Sequence, residues 1–158
     1  TISGSEADFA ELMNKKAGKL GMENTHFCDS TGLHNPDHYS TAKDMAVLLQ
    51  YALKNDTFRE IAESPWHSTP GTNLHPDGIT YYSTMFKNLS ETSVTGGKIL
   101  GGKTGFTNAA GSCLASFAEI EGVEYILVTA GAMDGGTPNI TDAVTVYNRL
   151  GEAAQALK

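Results

Sequence analysis

Apolar residues recur at helical spacing towards the two ends of the chain and gather into strand-like runs between them. Phe9, Leu12, Met13, Ala17 and Leu20 share one face of a 3.6-residue repeat, and Gly21 supplies the stop of a first helix. Ser3-Gly4-Ser5-Glu6 has the S-x-x-E spacing of a capping box at its start. Met22 to Tyr39 reads as loop. Ala42, Met45, Ala46, Leu49, Ala52 and Leu53 then form the stripe of a second helix, capped by Ser40 or Thr41. A short third helix is expected over Thr57–Glu63. The stretch 65–97 is the least regular, with Pro65, Pro70-Gly71, Pro76-Asp77-Gly78 and a possible strand at Ile79–Thr84. Trp66, Tyr81 and Tyr82 there are candidates for core or cleft lining, with core as the expectation.

Three strands follow at about 98–106, 111–120 and 123–132, the last two joined through Glu121-Gly122. The strand at 123–132 is apolar on both faces, Tyr125 and Leu127 against Ile126 and Val128, which predicts a central strand with helices on both sides. Thr137-Pro138 opens a closing helix, with Ile140, Ala143, Val144, Tyr147, Leu150, Ala154 and Leu157 on its buried face. Helices, an antiparallel meander and a final helix give an α+β class, an antiparallel sheet flanked by helices.

Composition narrows this picture. A chain of 158 residues with 40% hydrophobic content fits one domain, and buries about 70% of its unfolded surface. The net charge of −7 argues against non-specific nucleic-acid binding. No apolar run approaches the ~18 residues of a membrane span, so membrane contact is expected only through parts absent here. A start at Thr1-Ile2 with a helix almost at once fits a processed protein or an excised fragment. Cys28 and Cys113 are too few for a disulfide framework. Cys113 is expected as a small buried hydrophobe, and Cys28 lies in a polar loop, free or paired. His26, His34 and His38 share that loop with Asp29. His34-x-x-x-His38 resembles metal-ligand spacing, but Pro36 forbids the helix that would align the rings. A solvated loop is expected, with no metal and no cofactor.

The candidate chemistry lies in Gly101-Gly102-Lys103-Thr104-Gly105-Phe106-Thr107. A lysine and a hydroxyl sit together where glycines leave the backbone bare, a setting that suits an anion. Gly97 to Thr104 also matches the phosphate-loop pattern G-x-x-x-x-G-K-[ST], and Asp134 follows an apolar strand as a magnesium-binding Asp would. A phosphate loop must run into a helix. Here Gly105, Thr107, Asn108 and Gly111 make a poor first turn, and a strand comes next. The other reading is the K-T-G element of the penicillin-recognising serine enzymes.

The wider sequence favours the second. Phe9 with Met13-Asn14, Leu20-Gly21-Met22, Thr25-His26-Phe27, Gly32-Leu33, and Ser40-Thr41-Ala42 with Asp44-Met45-Ala46 form an ordered series. Lys103-Thr104-Gly105-Phe106-Thr107, Ala110-Gly111 and Cys113-Leu114 complete it. With these residues the chain resembles the D-alanyl-D-alanine carboxypeptidases, low-molecular-mass penicillin-binding proteins of the bacterial cell wall. The resemblance implies a β-lactamase/transpeptidase-like fold, with residues 1–158 as the C-terminal portion of one catalytic domain. It implies cleavage of the terminal D-alanine of peptidoglycan stem peptides through an acyl-enzyme on serine, with β-lactams as inhibitors. It also implies an extracytoplasmic setting, at the outer face of the membrane or secreted. Lys103 would place the substrate carboxylate and hold the electrostatics, and Thr104 Oγ would hydrogen-bond that carboxylate. The Phe106 backbone N–H would be an oxyanion-hole donor, with Gly105 and Thr107 beside the substrate and Lys87 as a further cation for the carboxylate.

The departure lies in the nucleophile. The family uses the Ser of S-x-x-K and a second motif, S-x-N, and no S-x-N occurs here. The one S-x-x-K, Ser40-Thr41-Ala42-Lys43, lies in the family's Ser-Thr-Ala segment, where helix capping is expected. The nucleophile is therefore expected upstream of Thr1, and this chain alone is expected to be inactive. An unprotected strand at 123–132 is expected to pair with a second chain or with a missing N-terminal segment. The rival readings are a β-lactamase-like hydrolase, a non-catalytic penicillin-fold binding module, and a phosphate-loop nucleotide binder at 97–104.

Overall fold

The computed structural model describes residues 2–133 and 136–158. The first helix, α1 (Glu6–Leu20), starts where Ser5 Oγ accepts the Asp8 N–H at 3.1 Å and ends where Gly21 turns left-handed at φ 77°. The cap is Ser5 with Asp8, not the expected Ser3 with Glu6. Gly4, at φ 83°, bends the chain immediately before the helix, and the Glu6 carboxylate accepts the Ser30 hydroxyl instead at 3.0 Å.

Helix α2 (Ala42–Ala52) is capped by Thr41, whose Oγ1 accepts the Asp44 N–H at 3.1 Å. Ser40 hydrogen-bonds the Thr25 hydroxyl at 2.8 Å. Asp44 is 2% exposed and accepts from the Thr25 hydroxyl at 2.7 Å and the Asn24 N–H at 2.9 Å. Those bonds, Thr25 foremost, hold its carboxyl below the usual range, and they tie the preceding loop to the helix. Helix α3 (Asp56–Glu63) is capped by Asn55.

Strands β1 (Trp66–Ser68) and β2 (Thr80–Tyr82) pair antiparallel, with Trp66 opposite Tyr82 and His67 opposite Tyr81. The core expectation fails here. Trp66, Tyr81 and Tyr82 are 58%, 57% and 67% exposed. Only two strands make this ribbon, so no sheet interior exists to take their rings. The short helix α4 (Thr84–Asn88) follows, starting at the residue where the possible strand Ile79–Thr84 was expected to end.

The main sheet comprises β3 (Ser93–Val94), β4 (Gly97–Thr107), β5 (Gly111–Ile120) and β6 (Val123–Ala132), antiparallel in that order. Helix α5 (Pro138–Ala156) closes the chain. Leu114, Ala118 and Ile120 of β5 pack with Ile140, Ala143 and Tyr147 of α5, while Phe117 turns to Leu49 of α2 and Leu53 at its C-cap. Ser116 faces Tyr147 across a buried 3.1 Å hydrogen bond, and burial pushes the Tyr147 phenol up to about 12. Leu157, expected on the buried face, is 90% exposed because α5 stops one residue earlier.

Strand β6 stands at the sheet edge, contrary to the central position expected for it. Among the described residues no strand lies beyond it, so β5 takes the interior place. Its two apolar faces are nonetheless used: Tyr125 and Leu127 pack on the α5 side and Ile126 on the α2 side.

Candidate active site

The candidate site is set by an irregularity in β4. Ile99 pairs with Ala118, but Gly101 pairs with Phe117, so Leu100 is an extra residue on this strand. Side chains alternate across a sheet, and one inserted residue exchanges the faces of everything after it. Ile99 packs with the α5 cluster, while beyond the bulge Thr104, opposite Leu114, takes the α5 face. Lys103, opposite Ala115, takes the α2–α3 face. Without the bulge the two would be interchanged.

Two glycines let helices approach this strand. A Cβ on Gly101 would stand 2.5 Å from the Ala62 carbonyl oxygen, and one on Gly102 would stand 2.9 Å from Met85 Sδ. Strand β3 pairs only with Gly97 and Lys98, which leaves the outer edge of β4 at 103–107 without a strand partner among the described residues.

Two cavities meet at Lys103 and Thr104. One, of about 630 Å³, is lined by these two with Thr84, Asn88, Ser112 and Asn139, among others. Gly136, Thr137 and Ile140 also line it, so the start of α5 opens into this space. The positive end of a 19-residue helix and the Lys103 ammonium together favour an anion. Asn139 is 5% exposed and donates to the Cys113 carbonyl at 2.8 Å, which fixes that first turn to β5. The other cavity, of about 650 Å³, lies between α3, the β1–β2 ribbon and β4.

The residues read from the sequence are placed as follows. Lys103 Nζ donates to the Thr104 carbonyl, and Gly105 has open space where a Cβ would stand. Phe106 is 68% exposed on the rim of the first cavity. Thr107 Oγ1 accepts the Ala110 N–H at 3.0 Å, within the turn between β4 and β5. Lys87 is exposed on α4 and lines neither cavity, although Thr84 and Asn88 of the same helix line the first. Ser40 precedes the Thr41 cap of α2, hydrogen-bonds the Thr25 hydroxyl and lines neither cavity.

The other candidates separate from this site. Gly97–Thr104 is strand running on to Thr107 and then to β5, which removes the helix a phosphate loop requires. Asp134 lies outside the described residues. Among the described residues no cluster of three His, Cys, Asp or Glu side chains can hold a metal. His38 lies 3.7 Å from Asp29, and His26 Nδ1 is 2.6 Å from the Asp37 carbonyl oxygen. Cys113 is half-buried. Thr84, Asn88, Ser112 and Asn139 were not singled out in the sequence, where only Pro138 hinted at a helix start near the site.

A family model described as D-alanyl-D-alanine carboxypeptidase matches residues 1–134. A D-alanyl-D-alanine carboxypeptidase of Bacillus subtilis is 34% identical over 134 residues, covering 83% of this chain and 32% of that protein. One from Streptomyces sp. strain K15 is 30% identical over 151 residues, covering 92% and 51%. Among solved structures, the D-alanyl-D-alanine carboxypeptidase of Mycobacterium tuberculosis H37Rv superposes with a TM-score of 0.74 at 25% identity, covering 92% of this chain and 54% of that one. The chain thus spans between about a third and a half of the length of these bacterial relatives. Among the described residues no helix is long and apolar enough to cross a membrane.

Proposed function

The chain belongs to the D-alanyl-D-alanine carboxypeptidase family, and from that premise we propose that it forms one wall of a serine-type active site that trims the terminal D-alanine of peptidoglycan stem peptides. The observation that carries this reading is the pairing of Lys103 and Thr104 at the open edge of β4, beside the start of α5. The substrate's terminal carboxylate takes charge from Lys103 and a hydrogen bond from the Thr104 hydroxyl. Its backbone lies along the open strand edge, where main-chain groups are available for pairing.

The serine hydroxyl attacks the carbonyl of the penultimate residue, and the proton passes through neighbouring basic groups to the departing D-alanine. Water then hydrolyses the acyl-enzyme. The Phe106 N–H stabilises the oxyanion in both steps, and one such donor contributes roughly 3 kcal/mol. The serine and its proton-transfer partners come from S-x-x-K and S-x-N elements outside this chain. The sequence holds no S-x-N, and Ser40 of its one S-x-x-K is engaged with Thr25 at the α2 cap. β-Lactams acylate that same serine, and the working site is the bacterial envelope outside the cytoplasmic membrane.

Intact-mass spectrometry after penicillin treatment tests this. The chain alone takes up no adduct, whereas a polypeptide that joins it to an upstream S-x-x-K segment is acylated stoichiometrically. An adduct on the chain alone, above all at Ser40, would falsify the assignment.

A further inference from the structure

Charge divides along α1. Glu6, Asp8 and Glu11 lie in its first half, and Lys15, Lys16 and Lys19 in its second. Lys16 reaches across to the last turn of α2. Its ammonium donates to the Tyr51 phenol oxygen at 3.0 Å and lies 4.7 Å from the centre of that ring. Lys54, just beyond the C-cap of α2, acts on the same phenol. Lys16 foremost, and Lys54 with it, hold the Tyr51 phenol below its usual range against the opposing effect of burial.

Donors gather at this junction without an acceptor. Lys16 occupies the Tyr51 oxygen, and among the described residues the phenol O–H finds no partner. Lys15 pairs with Glu11 at 3.4 Å, but Lys16, Lys54 and Lys19, the last one turn on from Lys16, pair with no carboxylate among the described residues. All three are exposed. The C-terminal ends of α1 and α2 each contribute about half a negative charge, too little to balance three ammonium groups. An external oxyanion supplies what is missing. A carboxylate offers two coplanar oxygens, whereas a phosphate turns its oxygens in several directions and suits donors arriving from two helices.

We propose that the Lys16–Tyr51–Lys54 junction binds the phosphate groups of a soluble phosphodiester polymer. One phosphate lies between the two ammonium groups and the phenol O–H, and the next lies on Lys19. A thread fits this patch better than a surface does. A planar anionic bilayer also meets the carboxylates of the first half of α1 and the net charge of −7. Charges beyond about 8 Å are screened at physiological salt, so a flexible chain responds to the local cations alone.

The probe is an oligomer of glycerol phosphate, a phosphodiester chain without rings that could seek the apolar grooves. In two-dimensional NMR of the chain it moves the amide signals of Lys16, Lys19, Tyr51 and Lys54 first. Lys16→Gln and Lys54→Gln each weaken binding about fivefold, the scale of one lysine beside an anionic layer. Tyr51→Phe weakens it about threefold through the lost O–H. Lys98→Gln removes an equal charge at the start of β4 and leaves binding unchanged. Raising the salt from ~50 to ~200 mM weakens binding about tenfold, as counterion release requires. Poly-L-glutamate, with carboxylates in place of phosphates, binds much more weakly. Signals that do not move at these residues overturn the proposal, as does an equal loss in Lys98→Gln or equal binding of poly-L-glutamate. Binding that survives the double variant Lys16→Gln/Lys54→Gln overturns it too. Vesicles of phosphatidylglycerol present the same phosphodiester on a surface, and capture by them without binding of the free oligomer replaces the polymer with a lipid.

Discussion

Thr104→Val keeps the outline of a half-buried side chain opposite Leu114 and deletes only the hydroxyl. A lost hydrogen bond to a charged group is worth about 1.5–3 kcal/mol. Affinity for a D-alanyl-D-alanine peptide should therefore fall about ten- to a hundredfold, with the melting temperature unchanged. A falling melting temperature with unchanged affinity would make the residue structural. Asp44 sets a different expectation. The Thr25 hydroxyl above all, then the Asn24 N–H and Thr41, hold its carboxyl low against the opposing effect of burial. A carboxyl depressed in the folded state adds stability above its unfolded value near pH ~4. That stability disappears as pH falls through the folded value. Asp29, held down by Thr31 and Gly32, and Glu121, held down by Lys158 and Gln155, act in the same direction. Asp44→Asn should flatten the acid limb of a plot of melting temperature against pH, and an unaltered limb would refute the role given to Asp44.

At the scale of elements, α3 reaches the sheet edge through the Arg59 side chain. Arg59 forks onto Glu124 of β6 at 2.7 and 3.0 Å, with its guanidinium carbon 5.3 Å from the centre of the Phe117 ring. Glu124 and Glu63 push the Arg59 pKa further up, so the cation is permanent. Arg59→Lys keeps the charge but loses the planar fork and the stacking. It should lower stability by about 0.5–1 kcal/mol for this partly exposed pair. Thermal denaturation checks this, and a wild-type melting temperature would remove Arg59 from this account. The same elements show what the sequence could reveal. Helices α1, α2 and α5 and strands β4 to β6 were legible because long periodic runs and Gly or Pro stops mark them. Lys103-Thr104-Gly105 was legible from its letters. The bulge at Leu100 was not, since Gly101-Gly102 signals only bare backbone, yet it decides which face Lys103 and Thr104 occupy. Trp66, Tyr81 and Tyr82 were misread because large rings ordinarily mean core, and pattern alone does not show that their ribbon lacks a sheet behind it. Thr84, Asn88, Ser112 and Asn139 come together only through the packing of α4 and α5 against β4 and β5.

For the whole molecule, the outer side of β6 poses the remaining question. The doubly apolar pattern of Val123–Ala132 predicted a central strand, yet among the described residues it is an edge with α2 on one face and α5 on the other. Edge strands are normally guarded by lysine, proline or inward charge, because their free N–H and C=O groups template pairing with other chains. Val123–Ala132 contains neither lysine nor proline, and its one charge, Glu124, is engaged by Arg59. The half-buried Ile126, Leu127 and Val128 are held flat by helices on both faces, which keeps their backbone extended and ready to pair. This edge should therefore acquire a partner strand, either from a second copy or from a segment that this chain does not include. For the chain alone, sedimentation equilibrium should give a mass that rises above the monomer with concentration. Hydrogen exchange at the outward-facing amides of Ile126–Val128 should slow in parallel. A strand peptide that caps the edge should reverse the mass increase while keeping those amides protected. A strictly monomeric mass together with fast exchange at these amides would mean that the edge stays bare, and that the two helices alone account for the apolar pattern of β6.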